Sequence, residues 1–142
     1  MNSLKLILTN IKYFSAVWVF SSLNFIVGTW VLYIPYVKSK LTLDDSQIGF
    51  ALFCLAAGIL TFLPLVPYLS KKIRLGRLTF FAIVLFALAF IFPVLMPNYV
   101  FLCVSLFIVG VFSGITDIAM NALVSEIEKK DKVNIMSAAH GF

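Results

Sequence analysis

Apolar positions in this chain come in long blocks, not in the two-residue alternation of a half-buried strand. Charge-free runs cover residues 13–37 (25 residues), 46–70 (25 residues) and 78–116 (39 residues). A membrane-crossing helix needs about 20 mostly apolar residues, so the first two runs each supply one. The third is too long for one helix. Pro93, Pro97 and Asn98 divide it, because proline removes a donor and crowds the preceding turn. The pattern predicts an all-α polytopic membrane bundle with spans near 13–37, 47–69, 77–96 and 100–124. Met136-Ser-Ala-Ala-His-Gly-Phe142 reads as a fifth helix starting about residue 136. So short a start cannot cross about 30 Å at about 1.5 Å per residue. The expectation is one partial helical bundle over residues 1–142, a fragment cut inside an element.

Composition agrees. The chain is 62% hydrophobic and 12% charged, against about 45–50% and 25% in soluble domains. The N-terminal lysines followed by an apolar run resemble a secretory signal. The run is 25 residues long, however, against about 7–15 for a signal core, and no small-x-small site follows it, so it reads as a retained first span. Charge then orients the spans. Lys5, Lys12, Lys71, Lys72, Arg74, Arg77, Lys129, Lys130 and Lys132 all fall on one side, while the other side holds only Lys38 and Lys40, offset by Asp44 and Asp45. Basic loops stay in the cytoplasm, which predicts a multi-pass protein of the cytoplasmic (inner) membrane with its N-terminus inside. The bilayer is the first expected partner. The 71–77 cluster is sufficiently explained by this topology, and binding of anionic lipid head groups is the alternative reading.

No Ser/His/Asp set, phosphate-cradling glycine loop or cysteine cluster is present. Cys54 and Cys103 both lie in apolar runs and imply neither metal nor disulfide. The chain reads as a non-enzyme with no cofactor, no metal and no nucleic-acid partner. Its chemistry is expected in polar residues inside the spans. Gly110, Gly114, Asp117 and Asn121 are spaced four, three and four apart, which puts them on one helical stripe. The glycines suit close helix packing. An acid in a span costs about 2.5–3.5 kcal/mol on insertion scales, so Asp117 should face a partner or a wet cavity. In the first span Ser21, Asn24, Gly28 and Pro35 recur at helical spacing, with Asn24 expected to line a lumen. Trp30 and Tyr33 read either as an interfacial aromatic belt or as rings that stack on a sugar-like substrate. Gly49, Ala56, Ala57 and Gly58 mark close packing in the second span, and the third span should face lipid or pack behind the others. His140 opens the fifth helix, where it reads as a relay or as a helix-start hydrogen bonder.

At these residues the chain resembles the major facilitator superfamily, in particular the N-terminal part of YbjJ-like and fucose-permease-like transporters. Gly28-Thr-Trp30 before Ile34-Pro35 is similar to the first span, and Leu43 with Gln47-Ile-Gly49 to the entry of the second. Arg74-Leu-Gly76-Arg77 is similar to the end of the family's second-to-third loop motif, with Ile73 where an Asp is usual and Leu69 where the leading Gly is usual. Gly110, Gly114, Asp117, Ala119-Met120-Asn121, Glu126 or Glu128, and Met136-Ser with His140-Gly141 resemble the YbjJ-type signature. The resemblance implies a two-half carrier of a small solute, such as a sugar, working by alternating access with protons. Asp117 would be the protonation site, Asn121 would be a hydrogen bonder in the cavity, and a missing C-terminal half would complete it; Asn24, Gly28 and Trp30 are the first-span candidates for the same cavity. Two other readings compete. A four-span multidrug exporter acting as a dimer should carry its acid in the first span, where this chain has none. A non-transporting membrane scaffold would use the glycines and have no use for Asp117.

Overall fold

The structure, a computed structural model, describes residues 7–139. Helix α1 (Ile11–Lys40) begins at Asn10, whose side chain accepts a hydrogen bond from the Lys12 N–H at 3.0 Å. Pro35 lies within α1 without ending it. A turn with Thr42 at φ 52° leads to Asp44, which forms a reciprocal capping box with Gln47 at 2.7 and 3.0 Å. This box starts α2 (Asp45–Phe62). Beyond Phe62 the chain tightens into a single 3₁₀ turn at Leu63–Leu65, then resumes as α3 (Val66–Lys72). Pro64 and Pro67, which lack the N–H that an α-helical ladder requires, account for that break. α4 (Leu75–Ala89) runs on through Phe90 into the short α5 (Ile91–Leu95). Asn98 then caps α6 (Tyr99–Asp131) by accepting from the Phe101 N–H at 3.1 Å. Lys132, left-handed at φ 53°, ends α6, and α7 (Met136–Ala139) follows.

Four stretches among the described residues are long and apolar enough to cross a membrane: 11–40, 45–72, 75–95 and 99–131. The chain is an all-α, multi-pass membrane bundle. Its helices overrun the hydropathic spans because polar caps such as Asn10, Asp44 and Asn98 set the ends outside the apolar region.

The central element is α6. Tyr13, Ala16, Val17 and Phe20 of α1 cluster with Met120, Val124 and Ile127 at the basic end. Trp30 and Val37 of α1 cluster with Ala51 of α2 and with Leu102 and Leu106 at the other end. Phe86 and Ala89 of α4 pack on Val109, and Val66 of α3 and Leu78 of α4 pack on Ala119. The backbones of α1 and α2, by contrast, hardly approach each other.

The closest seam is between α2 and α6. A Cβ at Gly58 would sit 2.1 Å from the Phe107 carbonyl oxygen, and one at Gly110 would sit 2.0 Å from that of Leu55. At Gly114 it would lie 3.2 Å from the Ile59 carbonyl oxygen. Only glycine lets these two backbones meet, and in lipid such close packing replaces the hydrophobic effect as the force between helices.

Candidate functional site

A polar side chain in an apolar helix must satisfy itself locally or find a partner. Most here bond back to the preceding turn. Ser21 donates to the Val17 carbonyl, Asn24 to Phe20 at 3.1 Å, Thr29 to Phe25, Thr61 to Ala57 and Thr116 to Phe112. A charged carboxylate cannot do this, because it only accepts and a helix turn offers it only carbonyls. Asp117 therefore takes its donor from one turn ahead. The Asn121 amide nitrogen lies 3.2 Å from the Asp117 Oδ1 and 2.9 Å from the Asp117 backbone carbonyl oxygen. That one amide holds the carboxylate, and the rest of the acid's lone-pair capacity is exposed.

The direction it faces follows from the seams. Gly110 and Gly114 face α2, and Met120 and Val124 face α1. At 100° per residue Asp117 falls between those two directions, over the gap that α1 and α2 leave between them. Asn24 lies at a similar depth on α1. Phe20, one turn before it, packs beside Met120, and Ile26, just after it, packs beside Phe112. Asn24 and Gly28 are both exposed, on the flank of α1 away from its packed seam, and a Cβ at Gly28 would meet nothing within 4 Å. Asp117, Asn24 and Gly28 are thus exposed side by side with apolar seams, and Asn121 is half-buried. Half-buried Ser113, one turn before Asp117, extends the row. It escaped sequence reasoning, although its i, i+4 spacing to Asp117 was the available signal.

The other sequence-derived candidates lie elsewhere. Trp30 is only 6% exposed, packed against Phe90 at 6.1 Å between ring centroids. It shares an interior cluster with Leu102 and Leu106 and also lines a groove with Thr29, Tyr33 and Phe90. Arg74, Gly76 and Arg77 are exposed at the basic end, and neither guanidinium has an ion-pair partner among the described residues. His140 lies outside the described residues. Where the family's loop motif would put an acid, Ile73 sits in extended backbone at φ −122° and ψ 134°.

The helices are tied at this end in another way. Lys12 pairs with Asp131 at 2.5 Å, the Tyr13 hydroxyl donates to the same carboxylate at 2.9 Å, and together they join the start of α1 to the end of α6. Glu128 Oε1 accepts from the Ile135 and Met136 N–H groups at 2.6 and 2.7 Å and fixes the start of α7. Hydropathy and spacing give no sign of these contacts, since the partners are distant in sequence or are backbone groups.

The family model of the Major Facilitator Superfamily matches residues 7–142. Membrane protein MosC of Rhizobium meliloti is 31% identical over 117 residues, 82% of this chain and 28% of that protein. An uncharacterized MFS-type transporter of Yersinia pestis is 29% identical over 115 residues, 81% of this chain and 30% of its own length. An uncharacterized transporter of Sinorhizobium fredii is 28% identical over a stretch of the same length. The chain spans less than a third of the length of these curated relatives. No solved structure matches it.

Proposed function

The chain belongs to the Major Facilitator Superfamily, and from that premise we propose that it supplies the first four spans of a proton-coupled solute carrier of the YbjJ-like or fucose-permease-like kind. The observation that carries this reading is the Asp117 carboxylate, exposed within a helix long and apolar enough to cross a membrane and held on one side by Asn121. In a lipid-embedded bundle that position must be wet or partnered. In this reading the exposed side of α6 at Asp117 lines half of a central cavity, and the remaining spans of the carrier close its other side. Asp117 gains a proton when the cavity opens outward and releases it when the cavity opens inward. Asn24 and Asn121 hold the polar edge of the solute, which is a small hydroxylated molecule of the sugar class. Gly28, with open space before it, lets the solute approach the backbone of α1. The carrier sits in the inner membrane with the basic end, and so the N-terminus, in the cytoplasm, as the distribution of lysine and arginine favours.

The test is Asp117→Asn in the complete carrier, with solute flux measured in proteoliposomes. The variant is expected to lose accumulation driven by a proton gradient while keeping exchange of solute for solute. Unchanged proton-driven accumulation would remove Asp117 from the coupling. A scaffold role has no use for the acid and would show no flux in either protein.

A further inference from the structure

Neither cysteine takes part in the polar surface around Asp117. Both are free thiols, and each is half-buried in its own helix, Cys54 on α2 and Cys103 on α6. They fall in different apolar runs, so hydropathy sets them apart. The tight seam brings them together.

The contacts between α2 and α6 rise together in residue number, so the two helices run parallel. The Tyr99 hydroxyl donates to the Gln47 carbonyl at 3.1 Å. Further along, Gly58 meets Phe107, and Gly110 meets Leu55 and Ile59. Cys54 precedes Gly58 by four residues, and Cys103 precedes Phe107 by four. Four residues make about one helical turn, so the cysteines face each other one turn before the Gly58 contact. Each lies on the contact stripe of its helix, Cys54 with Ala51 and Gly58, Cys103 with Tyr99 and Gly110. The two thiols are hydrogen-bonding neighbours, and the Tyr99 hydroxyl is within reach of Cys103. Closed contacts before and after the pair, at Gln47 and at Gly58, hold it in register.

Two facing thiols can share a soft metal ion or join as a disulfide. A metal needs both sulfurs as thiolates. Among the described residues no third His, Cys, Asp or Glu joins them, and charge is costly in an apolar span. A disulfide carries no charge and asks for no polar partner.

We propose that Cys54 and Cys103 form a reversible disulfide that ties α2 to α6 beside the glycine seam. The oxidant is a small apolar disulfide. One cysteine thiolate attacks a sulfur of that reagent and releases half of it as a thiolate. The other cysteine then attacks the sulfur of its neighbour in the mixed disulfide, which closes the Cys54–Cys103 bond and releases the second half. The two protons lost by the cysteines end on the two released thiols, so the protein is oxidised and the reagent reduced by one electron pair. The inference does not depend on the transport reading, since it concerns the α2–α6 seam and covalent chemistry there.

Dithiodipyridine, a membrane-permeant aromatic disulfide, tests it when added to the full chain in mild detergent, with products read by intact mass and peptide mapping. The expected product has lost two hydrogens, carries no pyridyl adduct and yields a linked Cys54–Cys103 peptide, and dithiothreitol reverses it. Cys54→Ser and Cys103→Ser should each end with one stable pyridyl adduct. Cys103→Ser with Ile108→Cys moves the second thiol to an exposed face of α6 and should give two adducts and no link. The linked protein should melt several degrees above the reduced one, because the bond closes a long loop and restricts the unfolded chain. Pyridyl adducts retained on both native cysteines, thiols that stay unreacted, or a link formed as readily by the Ile108→Cys variant would overturn the proposal.

Discussion

Asp117 differs from every other polar side chain in the apolar stretches by what it can accept. Serine, threonine and asparagine here turn a donor onto a carbonyl one turn back, so their presence in a span needs no further explanation. The acid has no such recourse, and a single amide meets part of its need. Hydrogen bonds to charged groups contribute about 1.5–3 kcal/mol. Asn121→Leu in the complete carrier is therefore expected to lower proton-driven uptake roughly tenfold. Helicity should stay unchanged, because leucine is a better helix former than asparagine; initial-rate uptake assays with circular dichroism check both points. Asp117 and Asn121 were legible in the sequence because an ionisable group interrupts an otherwise charge-free run. Trp30 was not, since a large ring belongs equally well at an interface, in a cavity or in a core. In the structure it packs against Phe90 and beside Leu102 and Leu106 of α6 while lining a groove with Tyr33.

Among the elements, α6 is the one the others are built on, and its glycines set the spacing. Alanine is favoured over glycine in a helix by about 1 kcal/mol. At Gly49, where a Cβ meets nothing within 4 Å, alanine should leave stability unchanged or raise it by up to about that much. At Gly110 the same change drives a methyl to 2.0 Å from the Leu55 oxygen, and overpacking of this kind costs about 1–3 kcal/mol. Thermal melts in detergent should rank Gly49→Ala at or above the parent and Gly110→Ala below it. Equal melting would mean that α2 and α6 are not in backbone contact. At the far end of α6, Glu128→Ala takes away the acceptor for two backbone donors. Amide exchange at Ile135 and Met136 should then be faster by roughly tenfold or more, given about 1.5–3 kcal/mol for such bonds, as hydrogen–deuterium exchange can read directly. Helix existence and order were legible from hydropathy alone. The 3₁₀ break at Leu63–Leu65 needed the two prolines, and the Glu128 and Asp131 contacts could not be read at all, because a local pattern does not reveal partners from another turn of the chain.

At the scale of the whole molecule, the flanks of α6 differ in polarity. One carries exposed Asp117 and half-buried Asn121, while another borders a mostly apolar groove with α1 and α4, where Lys12, Glu126 and Lys130 are the charged residues. The charge pattern implies that single cysteines introduced at Lys72 and at Asn98 should react with impermeant thiol reagents from opposite faces of the membrane, the first from the cytoplasm. Labelling of both from one face would refute the four-span topology. The number of spans was legible in the sequence. The way they gather on α6 was not, since hydropathy does not reveal which helices pack together. The central claim is that water reaches residue 117 from inside the protein, and cysteine scanning tests it most directly, because the thiolate is the nucleophile that attacks thiol reagents and it forms only where water reaches it. Asp117→Cys in the complete carrier should be modified by a charged, impermeant thiol reagent and protected by bound solute, while Phe81→Cys, on the exposed apolar face of α4, should stay unreactive. A cysteine at 117 as inert as the one at 81 would contradict the account.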